Sequence, residues 1–283
     1  MSVTFTLDTS PFNFRINTTG NFLKTQLQSL YPDEVLGTKE NQIIDFEIDF
    51  RRHLFSFSQS YAFRLGRHHF RETAQKQMLP VFEWGLNWAV SSYQNRYLCI
   101  HAAVLEKNGV SLIMPAPPGS GKSTLCALLM LSGWRLLSDE HCLIDPDTGL
   151  LQPFVRPVAL KNRSIPMINQ RFGSELIKQR IPDTVKGTIG YLAPTADSWR
   201  QRQVSCQPCY IIFPKYNAAC TQTEFSGIAQ SQLFMQLAVN CFNYTVLGQR
   251  GFLTLQHLVA HTEGIRLEYA NTDEALALIG ELC

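Results

Sequence analysis

The chain has 283 residues, 45% of them apolar, and its 25 basic side chains against 23 acidic ones leave a formal charge of +2. That length and apolar content predict a folded core and exclude a disordered chain, while the near-balanced charge excludes nucleic acid or an anionic membrane as the principal partner. No run approaches the roughly 18 apolar residues of a membrane span, and the opening MSVTFTLDTSPFNFRIN lacks the basic-then-apolar layout of a secretory signal, so a soluble cytoplasmic protein is expected.

The first part of the chain alternates like strands. In IIDFEIDF, Ile44, Phe46, Ile48 and Phe50 fall on one face and Asp45, Glu47 and Asp49 on the other, the pattern of a half-buried sheet whose acidic row is either solvated or a docking face. ETAQKQMLPVFEWGLNWAVSSYQ reads as an amphipathic helix, with Pro80 expected to kink it. From RYLCIHAAVLEKNGVSLIMPAP onward the pattern becomes strand, KNG hairpin turn, strand, loop and helix, with Gly133 as the helix stop and WRLLSD as the next short strand. HCLIDPDTGLLQPF predicts a hairpin around Asp147 to Gly149, and RPVALKNRSIPMINQRF a strand passing into a helix; residues 173 to 203 carry few periodic signals. CYIIFPKY is a buried strand, SQLFMQLAVNCFNY and RGFLTLQHLVAHT are helices, and IRLEYAN is a strand before a last helix that Asn271 and Glu274 cap. The expected organisation is an α/β protein with a mixed sheet: a strand-rich and helical N-terminal extension over 1–95, then a nucleotide-type core over 96–283. Of eight cysteines, the CQPC pair Cys206 and Cys209 is the suggestive one, but no second close pair stands at zinc-finger spacing, so thiols serving packing or loops are expected.

The stretch LIMPAPPGSGKSTLCALLML carries the chemistry. A phosphate-holding loop needs consecutive backbone N–H groups at a helix N-terminus and a cation that reaches the terminal phosphates. The familiar pattern is G-x-x-x-x-G-K-[ST], and here Ala116 stands at its first glycine, followed by Pro117 and Pro118, which have no N–H. The nucleotide is expected along Pro118, Gly119, Ser120, Gly121, Lys122, Ser123 and Thr124, with donors from Gly119 onward. Lys122 would meet the β- and γ-phosphates and the Ser123 hydroxyl would meet Mg²⁺. Lys122 is read as facing the ligand rather than the core, so that its removal should spare the fold. The alternative is a plain helix start with a serine cap.

The acids of SDE follow after one helix and one strand, which brings Asp139 and Glu140 to the same sheet edge as the loop. Two adjacent acids, Asp139 and Glu140, suit a division of labour in which one accepts a hydroxyl proton and the other holds the metal or its water. His101, one strand before the loop, would be a satisfied core histidine in isolation; beside these acids it could bond Asp139 and orient it. Nine basic residues against three acidic ones lie between 156 and 202, and among them Arg156, Lys161 and Lys186 are the candidates to reach phosphate or an anionic acceptor.

HAAVLEKNGVSLIMPAPPGSGKSTLCALLMLSGWRLLSDEHCLID resembles the catalytic core of HPr kinase/phosphorylase, which runs histidine, strand pair, glycine loop ending in G-K-S, helix, G-[HW]-R-L and two acids. APPGSGKSTLCALL, GWRLLSDE, RPVALKN and KGT are similar, more narrowly, to the HprK-related kinase A proteins. The resemblance implies a P-loop core of the HPr kinase/PEP carboxykinase type. It also implies that His101 is the core histidine, Lys122 and Ser123 the loop lysine and metal-binding serine, and Asp139 the base, with Glu140 in place of a second aspartate. The E-I-R-G-L-G signature of the bifunctional enzymes is absent, and ALKNRSI stands about where it would lie. Residues and resemblance together predict an ATP- and Mg²⁺-dependent kinase acting on a hydroxyl, serine of a protein or peptide, with a homo-oligomer left open. The rival readings are a small-molecule hydroxyl kinase and an ATP-binding scaffold without transfer.

Overall fold

In the computed structural model, residues 1–38, 42–52, 60–70, 72–117, 119–173 and 176–282 are described. The protein is mixed α/β and divides into two compact units that interleave along the chain. The first takes in Met1–Val90 and Ala159–Ala193, the second Ser91–Val158 and Pro194–Cys283.

In the first unit the described residues form a seven-stranded sheet from Ser2–Asp8, Asn13–Thr19, Leu36–Gly37, Phe46–Arg52, Ser60–Leu65, His68–His69 and Thr73–Ala74. The alternation read from the sequence holds there: Phe46, Ile48 and Phe50 are buried and Glu47 is exposed, because a strand turns successive side chains to opposite faces. The helix runs Met78–Tyr93. Pro80 does not sit at a kink; it falls in the first turn, where its missing N–H would have had no helical acceptor. The stretch expected to lack periodicity contains a hairpin, Gln179–Thr184 with Gly187–Leu192, whose second strand also pairs with Val158–Lys161. Hydrogen bonds tie this part to the rest of its unit, among them those from Gln77 Nε2 to the Asp183 carbonyl (2.7 Å) and from Gln179 Nε2 to Ser29 Oγ (3.1 Å).

The second unit is built on a mixed sheet. Its strands are β1 (Leu98–Lys107), β2 (Val110–Pro115), β3 (Arg135–Ser138), β4 (His141–Ile144), β5 (Leu151–Gln152), β6 (Tyr210–Tyr216), β7 (Glu224–Gly227) and β8 (Glu263–Tyr269). They lie in the order β5-β4-β1-β2-β6-β8-β7, with β3 also paired to β1. β2, β6 and β8 run parallel, so their carboxyl ends open on one edge; β1 is antiparallel to β2, and β3 and β4 are antiparallel to β1. The β1–β2 turn is the KNG hairpin, with Asn108 and Gly109 at φ +53° and +82°, the paired left-handed conformation of a two-residue turn.

Helix α1 (Lys122–Leu131) follows β2 and stops at Gly133, whose φ of +92° lets its N–H reach the Met130 carbonyl. Helices α2 (Gln230–Asn240), α3 (Tyr244–Leu247) and α4 (Gln249–Ala260) cover one side of β1, packing Leu233, Leu237, Leu255 and Leu258 against Leu98, Ile100 and Ala102. Helix α5 (Thr272–Gly280) is capped as expected: the Asn271 side-chain Oδ1 accepts from the Asp273 and Glu274 N–H groups, and its Nδ2 donates to Glu274 Oε1. Among the described residues no helix is long and apolar enough to cross a membrane.

Candidate functional site

Between β2 and α1 the chain makes a tight turn whose two glycines, Gly119 and Gly121, take φ values of +90° and +91°. Side-chain-bearing residues avoid that region, at a cost of roughly 1–2 kcal/mol. At Gly121 space is limiting as well: a Cβ there would lie 3.0 Å from the Tyr269 hydroxyl and 3.3 Å from the Tyr216 Cβ. The turn is stitched to β6 by the Tyr216 N–H, which donates to the Ser120 carbonyl at 3.0 Å. Burial, with Tyr216 beside it, pushes the Tyr269 phenol up to about 12, so the hydroxyl keeps its proton. Pro118 lies outside the described residues; Ser123 and Thr124 are half-buried in the first turn of α1. The Ser120 hydroxyl is buried and has no hydrogen-bond partner among the described residues.

Lys122 opens α1, but its side chain does not simply face outward as the sequence suggested. It is 92% buried, and its ammonium donates to the Asp139 carbonyl while lying 3.8 Å from the Asp139 carboxylate and 3.7 Å from that of Glu140. Burial by itself lowers its pKa; the two carboxylates outweigh burial and hold it above the ordinary lysine value.

Asp139 and Glu140 directly follow the end of β3, but the chain does not leave the sheet there. β3 and β4 lie on the same partner strand, with Ser138 opposite Val104 and His141 opposite His101, and the two acids interrupt this ladder. The register shifts between Leu136 and Ser138, so Leu137 is extra, and its carbonyl is taken up by the Phe154 N–H at 2.9 Å. The Ser138 hydroxyl accepts from the His141 N–H (3.0 Å) and the Glu140 N–H (3.4 Å), fixing the interruption.

His101 was expected to bond Asp139. Its Nε2 instead meets Glu140 Oε2 at 2.9 Å, because the register sets His101 against His141 and Glu140 is the acid next to that position. Burial would raise the Glu140 pKa; Lys122 and His101 together hold it well below the usual carboxylate range.

His141, which the sequence reading did not single out, is buried between Phe154 (5.7 Å between ring centres) and Phe242 (5.6 Å), and Phe242 also packs on His101 at 5.8 Å. Burial first, and then the charge of Arg156, push the His141 pKa down to about 3, so the ring is neutral. Arg156 is buried with its guanidinium 5.2 Å from the Phe154 ring centre, and so joins this cluster. Lys161 and Lys186 belong to the first unit, where both are exposed and the Lys186 ammonium lies 4.8 Å from the Trp84 ring centre. Tyr216, Tyr269 and Phe242 were also missed: they reach the loop and the histidines beside the acids from about 100 to 150 residues away along the chain, and no short window carries that signal. His141 did have one, its place directly after the acids.

Cys206 and Cys209 lie away from this cluster: Cys206 bridges to Leu151, and burial pushes its thiol up to about 12. Comparison of the sequence with protein-family models and with curated proteins finds no match.

Proposed function

We propose that this protein is an ATP- and Mg²⁺-dependent phosphotransferase with a P-loop core of the HPr kinase type, moving the γ-phosphate to a hydroxyl, serine of a protein or peptide. The reading rests on one observation: the lysine that opens a helix after a strand and a two-glycine turn has its ammonium between two adjacent acids on the interrupted strand, with β1 lying between that strand and the loop strand. The residues present fit a nucleotide. The N–H groups of Lys122 and Ser123 open the helix, where the backbone offers no intrahelical acceptor, the Ser120 hydroxyl is buried without a partner among the described residues, and Lys122 stays charged.

Ser123 and Glu140 would hold Mg²⁺. Among the described residues no three of His, Cys, Asp or Glu converge as a metal cage, and Mg²⁺ in phosphate sites relies on one or two protein oxygens together with the phosphates and water. When bound, the ion supplies neutralisation of the phosphate charge.

In transfer, the acceptor oxygen bonds to the γ-phosphorus, the bond from that phosphorus to the bridging oxygen of ADP breaks, and the hydroxyl proton passes to Asp139. Lys122 binds the terminal phosphates and keeps them beside the acids. His101 acts through Glu140, holding its carboxylate in place, and Phe242 and His141 form the apolar wall behind that pair.

The test measures nucleotide affinity and phosphoryl transfer on one preparation of Asp139→Asn. Affinity should stay within about tenfold of the parent while transfer falls by on the order of 10², the usual contribution of a positioned base. Transfer at the parent rate refutes Asp139 as the base. A parent protein that binds ATP yet phosphorylates nothing in a cell extract supports the scaffold reading instead.

A further inference from the structure

The acids and Lys122 fix a direction for any nucleotide held by the loop. Terminal phosphates lie toward Lys122, Asp139 and Glu140, on the β1, β3 and β4 side of the loop strand β2. The nucleoside end then leaves on the opposite side, over the carboxyl ends of the parallel strands β6 and β8, the edge at which open α/β sheets bind ligands. Tyr216 is the last residue of β6, and Tyr269 the last of β8.

These two tyrosines are held differently. Tyr269 is buried, whereas Tyr216 is 51% exposed, an aromatic ring left open at the edge of the loop. The Tyr216 backbone is fixed by its bond to the Ser120 carbonyl, and its ring packs T-shaped on Tyr269 with centroids 5.8 Å apart. The residues on either side of Tyr216 are braced to β8: Lys215 Nζ pairs with Glu268 at 2.9 Å, Asn217 Nδ2 donates to Glu268 at 2.7 Å, and the Asn217 N–H donates to the Tyr269 carbonyl at 2.9 Å. A half-exposed aromatic residue on a braced mount suits a flat heteroaromatic ring, which stacks on aromatic side chains with little dependence on base identity.

We infer that Tyr216 is the platform on which the nucleotide's base stacks. The inference rests on the nucleotide reading above and adds to it the place and chemistry of the base.

The experiment titrates the parent, Tyr216→Ala and Tyr216→Phe with ATP and with inorganic tripolyphosphate, each in Mg²⁺. Tripolyphosphate offers the same phosphate chain without a base. Tyr216→Ala should weaken ATP binding about tenfold, the range of a lost base–aromatic stack, while tripolyphosphate binding is unchanged. Tyr216→Phe should keep the ATP affinity, because the ring and not the hydroxyl does the stacking. Parental ATP affinity in Tyr216→Ala overturns the inference, and so does an equal loss of both ligands, which would make Tyr216 a brace for the loop. A parent that binds neither ligand overturns the nucleotide reading itself, whereas a parent that binds both with Tyr216→Ala unchanged overturns only the stacking.

Discussion

Replacing Lys122 with methionine removes a charge and keeps the approximate volume. The lysine and Asp139 side chains are only 8% and 4% exposed, and the ammonium stands 3.8 and 3.7 Å from two carboxylates. At an effective dielectric of about 20, each such pair is worth roughly 4 kcal/mol of gross attraction. Part of that sum offsets the desolvation of the lysine, a cost the methionine does not carry. Removing one partner of a buried pair costs about 3–5 kcal/mol net, chiefly because a charge is left uncompensated. Lys122→Met should therefore lower unfolding stability by about 3 kcal/mol, at the low end because Glu140 retains His101. Equilibrium urea unfolding followed by circular dichroism measures it. The decisive comparison is the double variant: with the ammonium gone, Asp139→Asn should recover at least about 1 kcal/mol, so the two changes are far from additive. A Lys122→Met midpoint equal to the parent's, or additive losses in the double variant, would refute the account of the lysine as the counter-charge of buried Asp139 and its half-buried neighbour Glu140.

Gly121→Ala should destabilise by about 1–2 kcal/mol for its φ of +91°, and further through the 3.0 Å approach to the Tyr269 hydroxyl, and should weaken tripolyphosphate binding; a parental melting curve would contradict both. His141 has a folded pKa of about 3 against an ordinary 6.5, so as pH falls below 6.5 the unfolded chain takes up this proton first. Its contribution to stability is therefore lost between pH 6.5 and about 3, approaching 1.4 kcal/mol per pH unit, and His141→Leu should flatten that slope in unfolding curves taken from pH 7 to 5.

Local signals in the sequence proved readable where one short window carries the whole cause. Asn108–Gly109 set their turn through backbone freedom, Asn271 and Glu274 close their own helix start, and Phe46, Ile48 and Phe50 mark a buried face by alternation alone. The loop and its lysine were equally plain, since Gly, Ser, Gly and Lys are adjacent. What did not show was whatever depends on pairing between distant strands. The partner of His101 is decided by an extra residue, Leu137, which shifts β3 by one place against β1 and leaves Glu140 rather than Asp139 beside the imidazole. Lys122 was misjudged for a similar reason, because its burial comes from acids that only the sheet brings under it. The hairpin over 179–192 was missed because its first strand does not alternate cleanly: Ile181 is buried while Arg180, Pro182 and Asp183 are exposed. A positive φ at Asp183 and a register shift between Ile181 and Thr184 break its two-residue period.

The interleaved path of the chain has a consequence for synthesis. A ribosome releases the strands of the seven-stranded sheet first, then β1 to β5 of the second unit, and only afterwards the hairpin that belongs with the first. Ser29 and Gln77 wait for Gln179 and Asp183, so the first unit is not complete until residue 193 has emerged, by which time the loop, Lys122 and both acids are already outside. Neither unit can be released as one uninterrupted stretch of sequence, and a nascent chain stopped near residue 158 would hold the entire loop–acid cluster while lacking both the three-stranded sheet of one unit and strands β6 to β8 of the other.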